Sequence, residues 1–261
     1  MPQPCAPIQP WLRHGRRLAG GLPALLLGGG LLAAPPLLAA SPSPAQLQAL
    51  EAALNSPEEA PLAALLEAGP GLNPQELEKR RSGLRRQFSD LRWQLSAGGP
   101  RRDGQPTVTL RLTGSRRQGP TTYRLEAEQL LSLQSNGQRI NGQTVLRERS
   151  ILRSGDQNLP VTLQIPDAVL TGQRYDVDVI LDDPLDGALA AGGIAAVNPQ
   201  QLLSQTSPGL EIGVLGGGGL FKTVQAPFTP GYQTWAVLLV HPRGIISATK
   251  RVRVVADRSA L

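Results

Sequence analysis

Three polar side chains interrupt rows that are otherwise apolar. Arg81 lies four residues after Leu77 and three before Leu84, Gln129 extends the alternating row Tyr123, Leu125 and Ala127, and Glu148 shares a row with Ile140, Leu146 and Leu152. If a helix carrying Arg81 closes over a sheet carrying the others, then Arg81, Tyr123, Gln129 and Glu148 line one ligand pocket. Arg81 and Glu148 would pair inside it, and the pocket would hydrogen-bond a polar ligand. The same residues also have a purely structural reading. Arg81 would run its stem along apolar surface to a rim, Gln129 would sit at a bulge, and Glu148 would turn to solvent after a register shift.

The other candidates are weaker. Asp182, Asp183 and Asp186 gather three carboxylates in one short stretch, which makes a weak calcium candidate. The spacing lacks the alternating ligands of an EF-hand, and an acidic turn accounts for it. His241 is the only histidine besides His14, and its turn between two strands offers no orienting partner for a Ser-His-Asp triad. With the amino-terminal leader removed, one His and no Cys would remain, which disfavours zinc. Gly216 to Gly219 precede Phe221-Lys222-Thr223, but a phosphate loop needs Gly directly before the Lys. No catalytic residue, resident metal or cofactor is assigned. Two carboxylates alone can still hydrolyse a glycoside, and that possibility stays open without support. Arg80, Arg85 and Arg86 read as a solvated helix face.

The elements that must position these residues change type along the chain. Gln46–Asn55 and Pro61–Ala68 carry leucines at helical spacing, and a Gly-Pro-Gly break follows at 69–71. Asn73 caps, and Pro74 opens, a longer helix reaching about Ser89. From Asp90 the period becomes two: Leu91, Trp93 and Leu95 share a face, as do Val108, Leu110 and Leu112. Asn136-Gly137 marks a hairpin, and Asn141-Gly142 a bulge in the returning strand. Ser154 to Pro160 reads as a polar linker. Beyond it the pattern is all-β, ending in a hairpin around His241-Pro242-Arg243-Gly244.

The amino terminus has a different character. Arg13, Arg16 and Arg17 precede an uncharged stretch from Leu18 to Ala40 that is broken by Gly28-Gly29-Gly30 and Pro35-Pro36. This is the pattern of a secretory signal peptide, with Ala40 or Ala45 as the last residue removed. An uncleaved anchor is the alternative, and the adjacent arginines permit a twin-arginine route. The three arginines supply half of the +6 net charge. The remainder is mild, and without interleaved aromatics it gives no nucleic-acid signature.

The stretch from Gln87-Phe88-Ser89-Asp90 into Leu91-Arg92-Trp93-Gln94, with the meander after it, resembles the nuclear-transport-factor-2-like superfamily. That resemblance covers Gln46 to Arg153. It implies a cone whose interior binds small ligands or holds acid–base residues, although the His those enzymes often use is missing here. Pro230-Gly231-Tyr232 leading into Trp235-Ala236-Val237 is similar to the corner tyrosine of bacterial immunoglobulin-like sandwiches, without their Cys pair.

The expected fold class is therefore α+β: N-terminal helices packed on a curved antiparallel sheet, followed by an all-β immunoglobulin-like sandwich. The expected boundaries are 1–45 for the leader, 46–155 for the cone and 156–261 for the sandwich. The expected function is an exported, non-enzymatic binding or interaction module of the cell envelope or extracellular space. Its partner would be an envelope protein or a small polar ligand, with no nucleic acid and membrane contact only through the leader. The alternatives are a carboxylate-dependent enzyme in the cone and a structural spacer or assembly subunit.

Overall fold

The computed structural model describes residues 40–155, 159–182, 188–198, 201, 208–215 and 217–261. The leader expectation falls on residues outside this set, apart from the residues flanking its proposed cleavage points. Three α-helices come first. In α1 (Pro44–Asn55), Ser43 accepts from the Gln46 amide and Gln46 returns a bond to the Ser43 amide, a reciprocal capping box. Helix α2 (Ala60–Leu65) is short, because Leu66 is already extended and bridges to Ile140. Helix α3 (Pro74–Gln87) starts where the sequence indicates, with the Asn73 side chain accepting from the Gln75 and Glu76 amides.

Four strands follow as an antiparallel meander: β1 (Arg92–Ala97), β2 (Val108–Gln118), β3 (Thr121–Ser135) and β4 (Ile140–Ser154). The register between β3 and β4 skips Asn141 and Leu146, so each is the extra residue of a bulge. The meander does not end there. Strand β12 (Gly244–Val255) pairs with β4 from Ile246↔Arg153 to Arg251↔Glu148. Beyond β12 lie β11 (Gly231–His241), β8 (Ala191–Val197) and β9 (Gly213–Val214), and β6 (Ala168–Leu170) joins β12 in parallel. The result is one nine-stranded sheet.

A second sheet of three strands is ordered β10 (Gly219–Gln225), β7 (Arg174–Leu181), β5 (Val161–Gln164). It packs over the β11–β12–β8 end of the large sheet. Val177, Val179, Val237 and Val252 are almost wholly buried between the two layers. In the same core, Tyr175 donates to Gln233 Oε1 at 2.6 Å and accepts from Trp235 Nε1 at 2.9 Å, so both buried polar aromatics are satisfied. The helices cover the opposite face at the β1–β4 end, over a separate leucine-rich core containing Leu50, Leu54, Leu62 and Trp93.

This corrects the expected fold class. Strands hold 51% of the described residues and helices 18%, so the described molecule is mostly β, and a large antiparallel sheet replaces a helical cone followed by a sandwich. The physical reason lies in β4. It is 15 residues long, and its edge from Glu148 to Arg153 would be open in a freestanding meander. The alternating strand β12 closes that edge. Tyr232, expected at a sandwich corner, is instead 54% exposed, with the Arg251 guanidinium 5.1 Å from its ring centre.

Candidate functional site

Between the helices and the sheet lies a cavity of about 300 Å³. Its roof is Leu50 and Leu54 of α1, Leu66 and Leu72 from the connections, and Leu77 and Leu84 of α3. Its floor is Leu95, Leu110, Leu112, Leu125 and Ala127. The floor is apolar because alternate residues of each half-buried strand face the helices. The walls change character along one cross-strand row, Leu95↔Leu110↔Gln129↔Glu148↔Arg251. Gln129 and Glu148 are directly opposed on β3 and β4, and both line the cavity with Gln143 and Ser150.

Glu148 is anchored from the far side. Arg251 Nε lies 2.9 Å from Glu148 Oε2, but its N–H is not aimed at that oxygen, so the contact is ionic and the buried oxygen lacks a directed hydrogen bond. Tyr232 supports Arg251 from behind. Both residues line a smaller depression of about 200 Å³ that shares Leu72, Leu77, Arg80, Gln129 and Gln143 with the main cavity. The two spaces therefore adjoin at a mouth between α3 and β12. The loop at that mouth explains the Gly-Pro-Gly break. A Cβ at Gly69 or Gly71 would overlap the Asn141 or Gln143 carbonyl oxygen, and the Gln143 amide donates to Pro70 O at 2.9 Å.

The four sequence-predicted pocket residues separate into two groups. Gln129 and Glu148 meet at the cavity. Arg81 does not line it and does not pair with Glu148. It is 1% exposed and points to the other flank of α3. There Nε donates to Glu78 Oε2 at 2.8 Å, and the guanidinium also reaches the carbonyls of Ser56 at 2.5 Å and Glu58 at 3.0 Å. Burial raises the Glu78 carboxyl, but the Arg81 and Ser82 hydrogen bonds and the nearby guanidinium charges outweigh it, leaving it below its ordinary value. Arg81 thus satisfies the open carbonyls after α1. Tyr123 is also elsewhere: it lies six positions along β3 from Gln129, about 20 Å at the usual rise. Its ring faces the Arg116 guanidinium at 5.1 Å.

Residues 156–255 match the model of a domain of unknown function, DUF8623. The matched stretch contains Tyr232 and Arg251, whereas Gln129 and Glu148 lie outside it, so the mouth of the cavity joins residues from both sides of the boundary. No curated protein matches the sequence.

The remaining candidates gain little. Asp183 and Asp186 lie outside the described residues, and Asp182 accepts from the Thr162 hydroxyl at 2.9 Å. No cluster of three or more His, Cys, Asp or Glu able to hold a metal occurs among the described residues. Gly216 of the glycine run is likewise outside them. His241 is buried at the end of β11, where its Nδ1 accepts from the Arg243 amide at 3.2 Å.

Sequence reasoning missed Arg80, Gln143, Tyr232 and Arg251. Arg80 was within reach: it lies three residues after Leu77 and four before Leu84, the mirror of Arg81, and only the packing of α1 decides which arginine faces the cavity. Arg251 carried no signal, because nothing in the sequence pairs β12 with β4.

Proposed function

We propose that this chain is an exported binding module that holds a ligand with an apolar body in the cavity beneath its helices. The cavity carries the reading: about 300 Å³ lined mainly by leucines, with Arg80, Gln129, Gln143, Glu148 and Ser150 among its polar lining. Apolar burial supplies affinity, and the few polar groups fix orientation. At roughly ten water volumes the space suits a short aliphatic or single-ring group. A spacer has no use for a leucine-lined cavity with polar groups in its wall. The carboxylate-enzyme alternative loses one intended participant, because Tyr123 is remote from Glu148. Export rests on the leader pattern of residues 1–45, and no helix among the described residues is long and apolar enough to cross a membrane.

The test uses N-phenyl-1-naphthylamine, an uncharged dye whose emission rises in apolar surroundings. The chain should bind it saturably, and Ala127→Phe, which fills the floor, should abolish the signal while the protein stays folded by circular dichroism. Non-saturable binding, or equal binding by the filled variant, removes the cavity from the function.

A further inference from the structure

The large sheet has a second exposed face, opposite the helices, where β2, β3 and β4 run beyond the three-stranded layer. Residues 100–103 and 259–261 border its Leu130–Arg147 corner, and Arg111 and Arg149 stay exposed. Strand alternation places Arg111, Arg117, Arg124, Arg147, Arg149 and Arg153 on this face with Glu126 and Glu128. Six cations meet two carboxylates. Glu128 already has three guanidinium groups around it: Arg147 at 3.2 Å, Arg111 at 3.5 Å and Arg149 at 3.6 Å. Arg153 takes Glu126 at 3.1 Å. Asp167 approaches Arg147 at 4.0 Å but is also held by Lys250, so the two offset each other. The Nε atoms of Arg147 and Arg153 are buried without an acceptor, so the chain's own carboxylates leave these guanidinium groups partly unsatisfied.

We propose that this face binds a flexible polyanionic chain, an anionic polysaccharide. Three observations select that class. First, the charge excess is concentrated on one face and is exposed: Arg111 keeps 64% and Arg149 51% of its side chain open to solvent. Second, the face ends at a step. Stacked sheets lie about 10 Å apart, so β5 rises beside the arginines, and Val161 walls a depression of about 310 Å³ with Arg111, Arg149 and Arg153 and the two glutamates they pair with, Glu126 and Glu128. A flat bilayer meets the second sheet before it reaches the arginines at the foot of that step, whereas a single chain can lie along it. Third, the face has no aromatic side chain on which nucleic-acid bases would stack.

The experiment follows fluorescein-labelled dextran sulfate by anisotropy, from about 50 to 200 mM salt. Competitors are phosphatidylglycerol vesicles and a single-stranded DNA oligonucleotide. Binding should weaken steeply with salt. The R111Q/R149Q double variant, altered only at exposed positions, should bind about tenfold more weakly at low salt, with a log–log salt slope smaller by about one to two. Ala127→Phe should bind as the parent does, which separates this face from the cavity. The proposal is overturned by any of three results: no binding of dextran sulfate, a double variant equal to the parent, or tighter binding of vesicles or DNA than of the polysaccharide.

Discussion

Arg81 is the side chain on which the helical layer depends most. It carries a full charge into an almost fully buried site, and it is tolerated there because Glu78 and four main-chain carbonyls accept from it. Arg81→Ala should cost about 3 kcal/mol in denaturant unfolding, because Glu78 and those carbonyls lose their partner together. Arg81→Lys should recover only part of this, since an ammonium cannot span the same acceptors. Because the folded-state Glu78 carboxyl sits below its ordinary 4.5, its contribution is present above that value and is lost as pH falls through the lowered value. Acid titration of stability should therefore be shallower in Arg81→Ala than in the parent. A parent and variant with parallel pH–stability curves would remove Glu78 from the acid response.

At the scale of elements, the capping box at Ser43 fixes where α1 begins and bears on the leader. Removal of the chain through Ala40 leaves Ser43, Pro44 and Gln46 intact, whereas removal through Ala45 cuts into the first turn. If the proposed leader is cleaved, amino-terminal sequencing of the shortened protein should therefore find Ser41. Ser43→Ala should lower stability by about 1 kcal/mol, measured by thermal unfolding of the mature form. A start at Gln46 with unchanged stability would refute both expectations.

Much of this scale was legible in the sequence. Asn73-Pro74 marked the start of α3, and period-two alternation marked β1 to β4. Asn141-Gly142 marked a real bulge. What sequence could not supply was non-local. Leu146 looks like one more member of an apolar row with Glu148, yet it is the extra residue of the second bulge, and only pairing with Leu130 and Leu131 reveals it. The arginine-rich face was similarly hidden. Its members are scattered over three strands and read singly as ordinary outward-facing residues, so only their stacking across the sheet concentrates the charge.

For the molecule as a whole, the decisive feature is the ladder between β4 and β12. The described residues from Ala40 to Leu261 belong to one compact unit, and the ladder brings Arg251 to Glu148. Unfolding should therefore be a single transition by far-ultraviolet circular dichroism, in which Leu50→Ala and Val237→Ala, from the two ends, lower the same midpoint. Two transitions, each answering to one variant, would show that the ladder does not couple the halves. A chain ended after Gly155 would expose the β4 edge from Glu148 to Arg153.

The bulge at Leu146 also acts as punctuation. Before it, the odd-numbered residues Gln143 and Val145 of β4 face the helices; after it, the even-numbered Glu148, Ser150 and Leu152 do. One strand thus switches phase midway, as a text does when one letter is inserted. Pairing the same residues one to one, with Leu146 kept but no bulge, would carry the original phase through the strand. The side chains of Arg147 and Arg149 would then turn into the leucine-lined cavity, and Glu148 would turn out onto the arginine face. The apolar space on one side of the sheet and the cationic surface on the other are therefore two readings of the same fifteen residues. A single surplus position holds them in step.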